Sequence, residues 1–257
     1  MLKLLKDELS SKNRKIFAIM AALLALFVIV LGVGIKFTKV LGGIKYTTSL
    51  GNATSLLTIF MVIMASTSIS GKDTLAKINE DSKSHSRLSI FTAKLIKIAI
   101  SYFGLIAVNL VAVIIMKHLL YPKTDLDSAI ITKMLAAAGG NLVYEFLLVS
   151  FVLLVCSRMK DTYASVALGI SMIYITQLVA GIFMIVLYTN RALRWNPFNF
   201  FFVEKEVVTP LTHMMTKLHV DQIIWGSLGY GLLFLIIAYI LFETRKIAQK
   251  STQVSNL

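Results

Sequence analysis

Cysteine is nearly absent from this sequence, since Cys156 is the only one among 257 residues. A single cysteine excludes an internal disulfide. Histidine is also scarce, and no H-E-x-x-H motif is present; the four histidines are His85, His118, His213 and His219. Because zinc sites need clustered cysteine and histidine ligands, the sequence predicts no zinc or other metal site.

Charged residues are few as well. They make up 15% of the chain, whereas about a quarter of the residues of a typical soluble domain are charged. Apolar residues make up 57%, and the mean hydropathy is +0.78. This composition excludes an ordinary soluble domain.

The apolar residues are concentrated in blocks of roughly 18 residues or more, long enough for a helix to cross a bilayer core of about 30 Å. The sequence therefore predicts an all-α membrane protein in which residues 1–257 form a single transmembrane domain. The second block is the weakest, because Asn52, Thr54 and Ser55 dilute its apolar character. The six predicted spans are Ile16–Ile35, Leu50–Ser70, Ile98–Met116, Leu135–Cys156, Tyr163–Tyr188 and Ile223–Phe242.

Acidic residues are half as frequent as basic ones, 13 against 26, and the net charge is +13. A basic chain suggests nucleic acid as a partner, but these cations lie in short segments beside the predicted spans. Attraction to anionic lipid headgroups explains that placement more simply. We therefore expect membrane lipid, and not nucleic acid, as a partner.

Six spans place both termini on the same side of the membrane. That side would carry 16 of the lysine and arginine residues and the opposite side 10. Because cytoplasmic segments are enriched in these residues, both termini are predicted to be cytoplasmic. Residues 71–97, a polar stretch between the second and third spans, would be cytoplasmic as well.

Enzyme motifs are also missing. The sequence has no G-x-S-x-G elbow. The nearest approach to a nucleotide-binding loop is Gly71–Lys72, but Ser66 replaces the first glycine of such a loop and Asp73 replaces its Ser or Thr. We expect no catalytic residue in this chain and no ATP, magnesium or other cofactor bound by this chain itself.

The N-terminal residues are predicted to form a helix that lies in the membrane interface. Within residues 1–15, Leu2, Leu5 and Leu9 have helical spacing, with lysines elsewhere on the surface. This pattern is typical of an amphipathic interfacial helix leading into the first span. An ordinary charged leader is the alternative.

Residues 189–222 form a long aromatic segment that contains Pro197 and Pro210. Non-helical backbone at membrane depth must be shielded by protein or water. We therefore predict an extracellular, re-entrant region of one or two short helices that enter the membrane partway and turn back. Trp195 and Phe198 would anchor at the level of the lipid headgroups. A surface loop with a belt of aromatic residues is the alternative.

The polar stretch, residues 71–97, is predicted to form a helix, a break and a second helix. Leu75 and Ile78 share one face of the first helix. Ser86 lies in the break, and the second helix would begin near Leu88 and continue into the third span. A solvated loop is the alternative.

The segment GKDTLAKINEDSKSHSRLSIFTAKLI resembles the cytoplasmic loop of ABC-2-type permeases, the six-span membrane subunits of bacterial ATP-binding cassette exporters. The resemblance extends to the number of spans, to the basic N-terminal helix and to the WNPFNFF stretch before the last span. The residues that fit the pattern of the loop are Thr74, Leu75, Ile78, Ser86, Arg87 and Lys94.

This resemblance implies a permease subunit in the bacterial cytoplasmic membrane. In such exporters a separate ATPase chain binds ATP and magnesium, and two identical or related permeases pair with two ATPases. Thr74, Leu75, Ile78 and Arg87 would contact the ATPase through a coupling helix. The cargo would be amphipathic or hydrophobic, such as an antimicrobial or cytolytic peptide, or a lipid-like molecule.

Polar side chains inside spans are candidate functional residues. Asn109, Glu145 and Gln177 lie about 18–24 Å from the cytoplasmic ends of their predicted spans, at 1.5 Å per residue. Asn141 lies one turn from Glu145 on the same face. These residues could form a polar layer along a translocation path, or they could make ordinary hydrogen bonds between helices. Glu145 also leaves open a second function, that of a proton-coupled secondary transporter.

Overall fold

The computed structural model describes residues 2–8, 11–38, 55–123, 128–208 and 213–245, and every regular element in these residues is helical. The all-α class predicted from the sequence is therefore confirmed. The helices are α1 (Leu2–Glu8), α2 (Ser11–Thr38), α3 (Ser55–Ile69), α4 (Lys72–Asp81), α5 (Arg87–Leu120), α6 (Ser128–Cys156), α7 (Thr162–Thr189), the 3₁₀ helices η1 (Arg191–Trp195) and η2 (Pro197–Phe202), α8 (Val203–Val208), α9 (His213–Thr216) and α10 (Val220–Glu243).

Five of these helices, α2, α5, α6, α7 and α10, are long and apolar enough to cross a membrane, and α3 with α4 makes a sixth if the bent pair is counted as one span. The protein is thus membrane-spanning, as its hydropathy predicts. Each of the five extends past its predicted bounds. Helix α5 has 34 residues, or about 51 Å, so it is longer than a hydrocarbon core of about 30 Å.

The N-terminal segment is divided differently from the prediction. Helix α1 ends at Glu8 and α2 begins at Ser11. The predicted interfacial helix of residues 1–15 is therefore a short helix followed by the start of the first spanning helix.

A glycine accounts for the bend between α3 and α4. The two helices meet at 57°. Gly71, which lies between them, has φ +96°, in the left-handed region that favours glycine. A β-carbon at this position would also overlap the side chain of Thr162 at the start of α7. The bend directs α4 away from the axis of α3.

Helix α6 lies at the centre of the bundle. Protein covers 61% of its apolar stretch, compared with 22% for α2, α7 and α10. It packs against α3, α8 and α10. Small residues permit close helix approach elsewhere in the core: a β-carbon on Gly169 of α7 would lie 2.9 Å from Val62 of α3. Such small-residue contacts are typical of helix packing in membranes.

At one end of the bundle, here called the basal end, arginines hold the ends of several helices together. Arg245 Nη1 donates to the carbonyl oxygens of Ile69 (3.1 Å) and Ser157 (3.2 Å), and its Nη2 donates to that of Met159. Arg158 donates to the Thr244 hydroxyl at 3.2 Å. The last carbonyls of a helix have no partner within it. Arg245 therefore supplies donors at the ends of α3 and α6.

Helix α1 joins the basal end through one carboxylate. Glu8 lies 3.0 Å from Lys94 and 3.2 Å from Lys97, both on α5, and 3.9 Å from Lys77 on α4. Burial by itself would raise the pKa of Glu8, but the three lysines outweigh burial, and the pKa lies below its usual value. The carboxylate therefore links α1, α4 and α5.

The chain after α7 turns back between the helices. Gln177, about twelve residues before the end of α7, donates to the carbonyl of Phe201 in η2 at 3.5 Å. At 1.5 Å per residue, η2 therefore lies about 18 Å below the end of α7. Phe200 and Phe201 are fully buried there. Short helices therefore lie within residues 189–222, of which the structure does not describe residues 209–212.

We expect Arg245→Ala to lower the free energy of unfolding by about 2–3 kcal/mol, because hydrogen bonds to a charged group contribute roughly 1.5–3 kcal/mol. An SDS titration of the detergent-solubilised protein would measure this loss. Lys160→Ala removes an exposed cation after α6 and should change the free energy by less than about 0.5 kcal/mol. Equal losses in the two variants would contradict the role assigned to Arg245.

The ion pairs of Glu8 should make stability depend on pH. Because its pKa is lower in the folded protein than its ordinary value of 4.5, the ion pairs stabilise the fold above about pH 4.5, and their contribution is lost as the pH falls through the folded-state pKa. Glu8→Gln should therefore destabilise the protein at pH 7, and this deficit should shrink as the pH is lowered from 7 to 3, in the same titration.

Glu80→Gln provides a control for this experiment, because Glu80 is an exposed carboxylate on α4. It should match the wild type at both pH values. A Glu8→Gln deficit of the same size at pH 3 and at pH 7 would show that the ion pairs are not its cause.

Candidate functional site

A group of polar side chains, here called the central cluster, lies midway along the bundle. Five helices contribute to it, and α6 contributes the most. Its members are Thr58, Tyr102, Asn141, Tyr144, Glu145, Gln177 and Glu204.

Glu145 is at the centre of this cluster and is 2% exposed. Its Oε1 accepts a hydrogen bond from the Thr58 hydroxyl of α3. Its Oε2 has no donor at bonding geometry among the described residues, and the Asn141 side chain interacts with the same carboxyl group. The buried acid therefore joins α6 to α3.

Asn141 lies one turn away and connects α6 to two other helices. Its Oδ1 accepts a hydrogen bond from the Tyr102 hydroxyl of α5 at 3.1 Å. Its Nδ2 donates to Glu204 of α8 at 3.4 Å. The segment that turns back after α7 thus brings a second carboxylate close to Glu145.

Gln177 completes the cluster from α7. Its Nε2 donates to the Tyr144 hydroxyl at 3.4 Å and to the Phe201 carbonyl at 3.5 Å. Gln177 thus joins the same cluster as Asn141 and Glu145 through Tyr144, the residue next to Glu145 in α6.

Asn109 is separate from this cluster, which corrects the prediction that it shares the layer. It is fully buried, and neither of its side-chain polar atoms has a hydrogen-bond partner among the described residues. It lies seven residues beyond Tyr102 on α5, which is about 10 Å along the helix. The prediction measured the depth of Asn109 from the predicted cytoplasmic end of the third span. That reference was wrong, because α5 extends well past the predicted span at both ends.

The central cluster borders two cavities. One has a volume of about 210 Å³, has largely apolar walls, and is lined by Glu145 and Tyr102. The other has a volume of about 420 Å³ and is lined by Thr58, Gln177 and Glu204. Glu145 and its donor Thr58 therefore lie at the boundary between an apolar space and a more polar one.

Two of the predicted coupling residues face the protein rather than outward. Ile78 is 1% exposed, and both Ile78 and Leu75 pack against the core. Thr74 donates to the Thr67 carbonyl at 3.2 Å. These contacts correct the prediction that Thr74, Leu75 and Ile78 form the surface that contacts an ATPase. The apolar face shared by Leu75 and Ile78 is the side of α4 that packs on its own chain.

Arg87 is also used within the chain. Its Nη1 donates to the carbonyl oxygens of Glu243 and Arg245, the latter at 3.3 Å. It thereby supplies donors at the end of α10. The exposed face of α4 is formed instead by Asp73, Ala76, Lys77 and Glu80.

The predicted headgroup anchors differ from each other in exposure. Trp195 is 45% exposed and remains a candidate anchor. Phe198 is half-buried and stacks on Phe183 with a centroid distance of 6.1 Å. The prediction for Phe198 is corrected accordingly, because its ring contributes to packing between η2 and α7.

Sequence reasoning missed Thr58, Tyr102, Glu204 and Glu206. Glu206 is fully buried and accepts a hydrogen bond from the Thr216 hydroxyl at 3.4 Å. The residues Glu204 and Glu206 follow a run of three phenylalanines in the sequence. That proximity to a buried aromatic run is the signal that could have identified them.

Among the described residues, no group of three or more histidine, cysteine, aspartate or glutamate side chains could hold a metal ion. The site can accept hydrogen bonds through Glu145 and Glu204. Comparison with protein-family models, with curated proteins and with solved structures found no match. The fold and site therefore define a class, that of a helical membrane protein with a buried polar centre.

We expect Glu145→Leu to lower the free energy of unfolding by about 1–3 kcal/mol, because the buried Thr58 hydroxyl would lose its acceptor. Glu145→Gln keeps the size and an acceptor oxygen and should be nearly neutral. SDS titration would compare the two variants. Equal stability would contradict a structural role for the hydrogen bond, whereas loss of transport in a stable Glu145→Gln variant would favour a translocation path.

Proposed function

We propose that this chain is the permease subunit of an ATP-binding cassette exporter of the ABC-2 type. The observation that carries the proposal is α4, a polar ten-residue helix at the basal end of an otherwise apolar bundle. Its apolar face packs on the chain's own core, and its charged face is exposed and can contact a soluble protein, with Lys77 on that face also pairing with Glu8 of α1. A coupling helix needs this combination, because force from an ATPase must reach the spans.

The spacing of the exposed residues supports this role. Asp73, Ala76, Lys77 and Glu80 recur at intervals of three and four residues and so form one stripe. The stripe carries both signs of charge with a small residue in the middle. We propose this stripe, in place of Leu75 and Ile78, as the contact with a groove on the ATPase.

The remaining features fit the same proposal. The segment from η1 to α8 would be the re-entrant region on the outer face, and α1 would lie in the inner interface. The central cluster and its two cavities would border the path of an amphipathic peptide or a lipid-like cargo. ATP and magnesium would be bound by the ATPase, two permeases would pair with two ATPases, and both termini would be cytoplasmic.

A second candidate function is a proton-coupled secondary transporter. It is favoured by the position of Glu145, a fully buried carboxyl group between two cavities. A carrier of this kind would need no ATPase. Transport by the purified chain alone, in vesicles with a proton gradient and without ATP, would select this candidate.

Ala76→Arg tests the coupling surface. A large side chain in the middle of the stripe should prevent the helix from seating, at a cost of about 1–3 kcal/mol. We expect roughly tenfold less ATPase subunit to co-purify from native membranes. The ATPase would be identified by mass spectrometry and by ATP hydrolysis in the purified complex.

Ala164→Arg is the matched control, because Ala164 is an exposed alanine in the first turn of α7, close to the basal end. Its side chain makes no contribution to the cap, since its backbone N–H donates to Asp161 at 2.7 Å. This variant should keep the ATPase. A complex that tolerates Ala76→Arg and Ala164→Arg equally would contradict the proposed surface.

A further inference from the structure

A third cavity lies at the basal end, between α2, α3 and α5. Its volume is about 460 Å³, which is within the range of pockets that bind small molecules, about 300–1,000 Å³. Apolar side chains make up most of its wall, including Phe17, Met20, Met64 and Ile100. Gly104 lets Phe17 approach α5, because a β-carbon there would lie 2.7 Å from the Phe17 ring.

Positive charge lines the same cavity. Arg14 and Lys97 border it together with Glu8. Glu8 is already shared by Lys77, Lys94 and Lys97, so one carboxylate faces several cations. In the part of the chain that the structure describes, Arg14 makes no ion pair. The cavity therefore has excess positive charge next to an apolar wall.

The position of the cations along the helices indicates what this cavity binds. Arg14 lies two residues before Ile16, where the apolar part of α2 begins, and Lys97 directly precedes Ile98, where the predicted third span begins. Both lie where a spanning helix enters the headgroup layer. Basic pockets between transmembrane helices bind anionic lipid headgroups.

We propose that this cavity is a binding site for one anionic phospholipid. Arg14 and Lys97 hold its phosphate, and an acyl chain lies along Phe17, Met20 and Met64. The site is independent of the proposed exporter function, because it uses neither the exposed stripe of α4 nor the central cluster.

Native mass spectrometry of the detergent-purified protein would test the site by titration with phosphatidylglycerol or phosphatidylcholine. The wild type should bind phosphatidylglycerol more tightly. Arg14→Gln should weaken that binding about fivefold, as expected for one cation near a phosphate. Lys15→Gln is the matched control, since Lys15 is an exposed neighbour outside the cavity lining, and it should bind like the wild type.

A second variant tests the apolar wall. Met64→Trp fills the cavity without changing its charge, and it should also weaken binding of phosphatidylglycerol. Inorganic phosphate at the same concentration as the lipid should not displace the lipid. Circular dichroism would confirm that each variant is folded, and if Met64→Trp does not fold, the comparison of Arg14→Gln with Lys15→Gln decides.

Three results would overturn the proposal. Equal weakening by Arg14→Gln and Lys15→Gln would show diffuse attraction to the basic surface. Equal binding of the two lipids would remove the role of the anionic headgroup. Displacement by inorganic phosphate would identify a site for a free anion.

Discussion

A helix that ends near lipid must still find donors for its last carbonyl groups, and in this chain Arg245 supplies them for α3 and α6. Fixing the carbonyl of Ile69 fixes the end of α3. Because Gly71 follows two residues later with a left-handed φ, it also fixes the direction of α4. The orientation of the exposed polar helix thus depends on a guanidinium group 174 residues further along the chain, from Gly71 to Arg245.

The basal end behaves as one connected unit for the same reason. Glu8 links α1 to α4 and α5, and Arg87 links the start of α5 to the end of α10. Movement of α4 would therefore be transmitted to α3, and Thr58 on α3 donates to Glu145 in the central cluster. Under the proposed function, this is the physical route by which an ATPase could act on the polar centre of the bundle.

Hydropathy was sufficient to predict the helical class and five spanning helices, because blocks of about 18 apolar residues have few alternatives to a membrane helix. Ser86 was correctly placed in the break before α5, where it caps the helix by accepting from the Ser89 amide at 3.2 Å. The direction of Ile78 was predicted wrongly, since periodicity defines an apolar face without saying what covers it. Glu204 could not be placed, because its position depends on a turn back into the bundle.

The central cluster shows why the depth of polar residues along individual spans is not sufficient to predict such a site. Depth along each span grouped Asn109 with Glu145 and Gln177, but Asn109 lies about 10 Å along α5 from Tyr102, the α5 residue in the cluster. The segment that turns back after α7, in contrast, brings Glu204 within hydrogen-bonding distance of Asn141 from a part of the sequence that was predicted to be extracellular. This polar centre is formed by the long helices together with the segment that turns back after α7. Its members depend on tertiary contacts and cannot be identified from the spans alone.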